Sequence, residues 1–525
     1  MRKRLTFLTL GLLCMLGSAA FAQTRYLDEV FPEVTITQNV KYGNNISVLT
    51  GAPVPIDLYM DVYEPEGDTL AERPLVLIAT TGNFLPRIIN GGPNGTFRDS
   101  VPAELCIRLA KMGYVTASFY YRQGWNPISP DQNVRTATIL QAAYRGIQDA
   151  RNVVRFFHAN VDTAGNDFRI DPTRIAIGGN GTGGYVALGT GYLNDFAEIL
   201  LPKFFNFDLT PPQPYVDSTI HGNIWGTNTA FLNLPNYVGY SSDVNFVFNL
   251  GGAMGDSSWV NAGEPPSVSF HTPLDPFAPY KTGPVIVPTT GDFVIEATGS
   301  YDVTRKANEL GNNQVFIDAN LQDPFTMKAN MLNDGYEGLF PFDRPFTPGD
   351  LPCGIPGISL ALVPEGSPWD WWDEAAFVAA WDAVPGQTVP GIVANCNSKT
   401  SNPDMSATKG RTYIDTVMAY LAPRMVLALG IDTSASVSID NHLLAQQLQL
   451  FPNPAASSFT VRITEGLNAI GDIQVLDITG RVVINRENLR VRETAIDLEN
   501  LTPGLYFVRV RATDGAVTTR KIRKE

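Results

Sequence analysis

Histidine is nearly missing from this chain: 525 residues hold four, His158, His221, His271 and His442. Chemistry that leans on imidazole, as acid, base or metal ligand, has few places to reside. No His, Cys, Asp and Glu cluster has metal-ligand spacing, no phosphate-binding loop occurs, and no dinucleotide fingerprint follows the first strand-like segment. No metal or other cofactor is therefore expected. Cysteine is as scarce, with four in all. After the opening stretch no apolar run approaches the roughly 20 residues that a membrane-crossing helix needs. Internal repeats and low-complexity tracts are absent as well. Charged residues make up 17% of the chain, with acids in excess and a net charge of −14.

What is present begins with Met1-Arg2-Lys3-Arg4, an apolar stretch from Leu5 to Leu16 and small residues closing on Ala20-Phe21-Ala22. A basic start, a short apolar core and an A-x-A close predict a secretory signal over residues 1–22, with Gln23 as the first residue left after cleavage. The signal carries three basic and no acidic residues, so the remainder stands at −17. From Phe451 onward eleven Lys and Arg exceed nine Asp and Glu, which leaves about −19 on the body. That charge argues against nucleic acid or an anionic membrane as a partner. With Cys14 in the signal, three cysteines remain. Cys353 and Cys396 lie in Pro- and Gly-rich sequence and could pair in an oxidising compartment. Cys106, between Leu105 and Leu109, reads as a buried thiol.

The last 80 or so residues alternate with period two in short stretches: Phe459 to Ile463, Ile473 to Leu476 and Leu505 to Val510. Glu465-Gly466, Thr479-Gly480, Pro503-Gly504 and Asp514-Gly515 punctuate them. Regular short strands with turns predict a small β-sandwich. Phe451-Pro452-Asn453-Pro454, Asp477-Ile478-Thr479-Gly480-Arg481, Leu501-Thr502-Pro503-Gly504-Leu505-Tyr506-Phe507-Val508 and Lys521-Ile522-Arg523-Lys524 resemble, in order, the type A sorting domain of the type IX secretion system. The resemblance implies handling by that machinery through residues 448–525, passage through the periplasm, and a secreted or outer-membrane-surface protein. Asp432 to Asn441, rich in Ser, Thr and Asp, reads as part of a linker over 431–447.

The body, about 425 residues, alternates strand-like and helix-like stretches, which predicts a mostly parallel sheet. Ile56 to Tyr63 has period two and reads as an early antiparallel strand. Pro74 to Thr80 is an apolar run suited to a strand buried on both faces. A helix over Ser100 to Met112 ends at Gly113; a strand follows over Tyr114 to Tyr121, then a long amphipathic helix over Thr136 to His158. Arg174 to Ile177 runs as a strand into Gly178-Gly179-Asn180-Gly181-Thr182-Gly183-Gly184 and a helix over Tyr185 to Gly191. Val244 to Leu250 and Val268 to Phe270 are later buried strands. Strand, sharp glycine turn and helix is the setting of a nucleophile elbow. Together with Tyr144 to Arg151, Asp171 to Gly179 and Phe270 to Tyr280, this stretch resembles α/β-hydrolases of the carboxylesterase type. The resemblance implies an α/β domain over 23–430, helices on both faces of the sheet, insertions at about 192–243 and 285–410, and a C-terminal extension or lid.

That family places a nucleophile on the elbow, an acid after a later strand and a histidine after the acid. Here the elbow falls on Gly179-Asn180-Gly181-Thr182-Gly183, so the nucleophile position is Gly181, which has no side chain. A frame shifted by one would offer Thr182, at the cost of the glycine register, and a β-branched residue suits that backbone poorly. Asp275 stands where the resemblance puts the triad acid, and equally suits a turn before Pro276. Only His442 follows it, in the linker. His158 reads as a surface residue, and His221 and His271 as packed or hydrogen-bonded. In Asp334-Gly335-Tyr336-Glu337-Gly338-Leu339 the family's histidine turn could be echoed, with Glu337 as substitute. Thr81, Gly82 and Asn83 stand where esterases carry oxyanion donors, which backbone N–H groups could still supply. Trp369, Trp371 and Trp372 follow Ser367-Pro368, a predicted helix start; they would either pack a lid helix or offer a sugar-stacking platform. The sequence thus predicts an exported hydrolase-fold protein without catalysis, holding an unknown small-molecule or glycan ligand. An ester hydrolase with a non-standard site and a carbohydrate-binding protein are the alternatives.

Overall fold

The computed structural model describes residues 24–287, 290–431, 448–464, 469–477, 481–513 and 517–525. The expected signal, nearly all of the linker with His442, and several sorting-domain turn residues (465–466, 478–480 and 514–515) lie outside them.

Eight strands form the body's main sheet: β1 (Val34–Ser47), β2 (Val54–Pro65), β3 (Arg73–Ala79), β4 (Val115–Phe119), β5 (Ile170–Asn180), β6 (Phe246–Leu250), β7 (Ser267–His271) and β8 (Leu339–Pro341). Their order is β1-β2-β4-β3-β5-β6-β7-β8. Only β2 runs against the rest. This is the α/β-hydrolase order, with the C-terminal strand ends lined up so that Asn180 pairs with Leu250 and Leu250 with Phe270.

The sheet is buried on both faces, which is why β3 reads as one apolar run. On one face Leu75, Leu77 and Ala79 pack with α2 (Gln132–Thr163) and α3 (Thr182–Tyr192). On the other Val76 and Ile78 pack with α1 (Ser100–Met112) and, through Phe270, with the last body helix. Helix α4 (Ser300–Glu309) joins the first layer through Val303 and Ala307. In the long excursion that follows β8 lie α5 (Glu374–Asp382) and α6 (Gly391–Lys399), and α7 (Ala407–Ala428) closes the body. Cys353 and Cys396 are joined in a disulfide, as the sequence allowed, and Cys106 is a buried free thiol.

The excursion between α3 and β6 is clamped by polar groups on α2. Arg151 donates to the Ile224 carbonyl at 2.9 Å, Arg155 to those of Trp225 at 2.7 Å and Asn236 at 3.0 Å, and Gln148 to those of His221 and Asn223. Arg122 and Asp149 form an ion pair at 2.9 Å with neither side chain exposed.

Several expectations need correction. Residues 367–372 form no helix; helix α5 begins only at Glu374, capped by the Asp373 carboxylate on the Ala376 N–H. Strand β8 and helix α4 lie inside the span expected as an insertion, so the second excursion is shorter, between β8 and α7. His158 lies within α2, half-buried, rather than on the surface at a helix end. The separate tail has two antiparallel sheets, β9-β10-β13 and β12-β11-β14-β15. These are β9 (Leu448–Phe451), β10 (Ser458–Ile463), β11 (Ile470–Leu476), β12 (Val482–Arg486), β13 (Glu493–Asp497), β14 (Gly504–Ala512) and β15 (Val517–Lys524). Their inward residues, among them Phe459, Val461, Ile473, Val475, Val508 and Val510, make one core.

Candidate functional site

The elbow forms where the glycine pattern put it. Strand β5 ends at Asn180, Gly181 has φ 54° and ψ −119°, and α3 starts at Thr182. A residue with a side chain is strained there, and hydrolases hold their nucleophile in that strained turn. The flanking glycines explain themselves by contact. A Cβ on Gly179 would lie 2.1 Å from the Gly183 backbone, and one on Gly183 2.1 Å from the Ala79 carbonyl. At Gly181 a Cβ would lie 2.2 Å from Thr81 Oγ1. The space a nucleophile's Cβ would enter is therefore met by the hydroxyl of Thr81, two residues beyond β3.

Thr182 opens α3, beyond the apex of the turn. Its hydroxyl lies 3.3 Å from that of Tyr121, which donates to the Thr80 carbonyl at 2.8 Å. Burial pushes the Tyr121 phenol up from its usual range, so it is no base for Thr182. Gly82 and Asn83 form a tight turn with φ 131° and 53°. Asn83 gives its carbonyl to the Trp125 indole at 2.6 Å, and Gly82 its carbonyl to Leu85 N–H at 2.8 Å.

Asp275 follows β7 and faces the same crevice. Its carboxylate accepts from the N–H groups of Phe277 at 2.7 Å and Ala278 at 3.2 Å. Burial outweighs those bonds and pushes its pKa up to about 7. His271, at the end of β7, has its Nε2 3.7 Å from Asp275. Burial lowers its pKa to about 4, so the imidazole is neutral and the contact is no ion pair. Both ring nitrogens are engaged, Nδ1 with Ser300 Oγ at 2.7 Å and Nε2 with the Ala278 carbonyl at 3.2 Å. His221 is likewise buried, with Nδ1 against the Asp217 backbone.

Glu337 is not brought to this crevice. It precedes β8, at the strand end opposite the elbow, and pairs with Arg424 at 2.8 Å. The turn over 334–339 leads into β8, whereas the family's histidine loop follows that strand. After β8 comes the segment that the sequence offered as a lid helix or a sugar-stacking platform. Trp369 is fully buried, packs on Phe342 and donates its indole N–H to Asn180 Oδ1 at 2.8 Å. Asn180 in turn donates to Asp370 at 2.9 Å. Burial pushes Asp370 up to about 7, and the charges of Asp99 and Asp275 act in the same direction. Upstream, Gly366 sits so close that a Cβ would lie 2.8 Å from an Asp275 carboxylate oxygen. Residues 366–370 thus fill the crevice above the elbow. Asp370 was missed because nothing in its local pattern marks a site residue. Its only sequence clue was its position between aromatics. Among the described residues no His, Cys, Asp and Glu group could hold a metal ion.

Residues 449–525 match the secretion system C-terminal sorting domain. The chain is therefore exported by the type IX route to the cell surface or beyond, and no helix among the described residues is long and apolar enough to cross a membrane. No curated protein matches the sequence. Among solved structures, a truncated carbohydrate esterase from gut microbiota is 17% identical, with a TM-score of 0.30 over 54% of this chain and 86% of that one. The propionate-bound esterase Est2 of the planctomycete Thermogutta terrifontis is 18% identical, with a TM-score of 0.27 over 43% and 70%. The same organism's esterase 2 phosphorylated by paraoxon is 19% identical, with a TM-score of 0.28 over 48% and 74%. The α/β-hydrolase character of the body rests on its sheet order and elbow.

Proposed function

We propose that this exported α/β-hydrolase-fold protein has no acyl-hydrolase activity and serves in binding at the cell surface or beyond. The observation that carries the reading is Gly181 in the nucleophile's backbone conformation, with Thr81 in the nucleophile's space. Nucleophilic acyl transfer needs an oxygen or sulfur nucleophile and a base within hydrogen-bond reach. Among the described residues the Thr182 hydroxyl is within reach of the Tyr121 phenol and of no imidazole, and both ring nitrogens of His271 are engaged. Binding and oxyanion donors without a triad leave only about 10³–10⁴-fold over water. Trp369 and Asp370, both bonded to Asn180 beside the elbow, would also stand in the path of an acyl chain.

The experiment is turnover of p-nitrophenyl acetate and butyrate by the purified protein. The expected rate does not saturate with ester and is the same in Asp275→Asn. Saturable turnover that disappears in Asp275→Asn contradicts the reading and assigns the chain to the ester hydrolases.

A further inference from the structure

The stretch that plugs the crevice continues into an open groove. Trp371 and Trp372 are half-buried, whereas Trp369 is fully buried. With Ser100, Asp373, Glu374 and Met405 they line a groove of about 640 Å³. That volume falls within the roughly 300–1,000 Å³ of small-molecule sites. Both rings are held by neighbouring groups. Trp371 lies under the Arg411 guanidinium, 5.4 Å from its centroid, and against Gly410, where a Cβ would come within 2.2 Å of the ring. Trp372 donates its indole N–H to Asn395 at 2.9 Å. Asn395 donates to the Glu374 carboxylate at 2.5 Å, and Lys399 pairs with the same carboxylate at 3.2 Å. The neighbouring Cys396 is bridged to Cys353, which ties α6 to the hairpin over 350–361. The platform is therefore ordered before any ligand arrives, so binding would cost little side-chain entropy.

We infer that this groove binds a neutral glycan, with pyranose rings stacked on Trp371 and Trp372 and sugar hydroxyls donating to Asp373 and Glu374. A pyranose has an apolar C–H face for an indole and a rim of hydroxyl donors for carboxylates. Lys399 and Arg411 stand beside the two acids, so the groove has no strong field of either sign to hold an ion. A purely apolar ligand would strip water from those acids and offer no hydrogen bond in return. Export carries the groove out of the cell. The inference supplies the ligand class for the binding role proposed above. Ester turnover and saccharide titration read the two separately, since no groove residue belongs to the crevice.

The test is titration of the purified protein with maltohexaose, cellohexaose, xylohexaose and mannohexaose, followed by tryptophan emission. A saturable change is expected with at least one, weakened at least tenfold in Trp371→Ala. Ala375→Arg, at an exposed position lining the groove, fills it without touching the core and should weaken binding as much. Saturation by none of the four, or full affinity in either folded variant, overturns the inference.

Discussion

The crevice above Gly181 and the groove beside Trp371 are made from one loop, yet they differ in almost every physical respect. In the crevice the loop packs inward: Trp369 is fully buried against Phe342, half-buried Asp370 accepts from Asn180, and Gly366 presses on Asp275. In the groove, a few residues on, carboxylates and half-buried indoles are held by their neighbours and line an open surface. The difference teaches that a fold and its chemistry are held by different residues. Sheet order and elbow persist because many apolar contacts and tight glycine approaches support them. Acyl transfer depends on three side chains, so the proposed loss of activity needs changes at those positions alone.

The comparison breaks most visibly at Trp369. Trp369→Ala removes a fully buried indole and its bond to Asn180, and should cost about 3–5 kcal/mol in urea unfolding. A loss below about 1 kcal/mol would mean the plug is not part of the core.

The crevice acids come next. Asp275 and Asp370 both titrate near 7 when folded, against about 3.9 in an unfolded chain. Their folded pKa is raised, so their contribution to stability is complete below about pH 4 and is lost as pH rises through about 7. Stability should therefore fall between these values. Asp370→Asn, which keeps a carbonyl acceptor for Asn180, should flatten that fall, as read from Tm against pH. An identical profile in the variant would place Asp370 in water.

On the groove side, replacing Cys353 and Cys396 together by Ser should cost about 2–4 kcal/mol, because the bridge closes a loop with a sequence separation of 43. Saccharide affinity should drop with it, since Asn395 sits beside Cys396. Unchanged affinity would show that α6 holds the platform without its tether.

The smallest effect is expected at the elbow. Gly181→Ser should cost about 1–3 kcal/mol, from the positive φ and the approach to Thr81. It should restore no ester turnover, because no histidine follows Asp275 in the described body. Turnover in that variant would reveal a working base in the crevice.

Much of this architecture was legible in the sequence. The apolar run of β3, the helix over Ser100–Met112 and the Gly-rich elbow follow from periodicity and punctuation, and each formed as expected. Strand β1 escaped because half of Val34–Ser47 is exposed and it is rich in Thr and Asn, so its pairing comes from β2 rather than from an apolar pattern. Strand β8 escaped because it is three residues long, and missing it set the histidine turn on the wrong side of the strand. The empty nucleophile position was visible as a missing side chain. That Thr81 fills its space, and that Trp369 and Asp370 arrive from nearly 190 residues away to cover it, depends on tertiary contacts that no local pattern encodes.

The central claim is that the elbow carries no nucleophile. A fluorophosphonate probe, which phosphonylates activated serine and threonine hydroxyls, tests it by intact mass of the purified protein. The account predicts an unchanged mass at probe concentrations that label an active esterase completely. A single stoichiometric adduct mapping to Thr182 would contradict it.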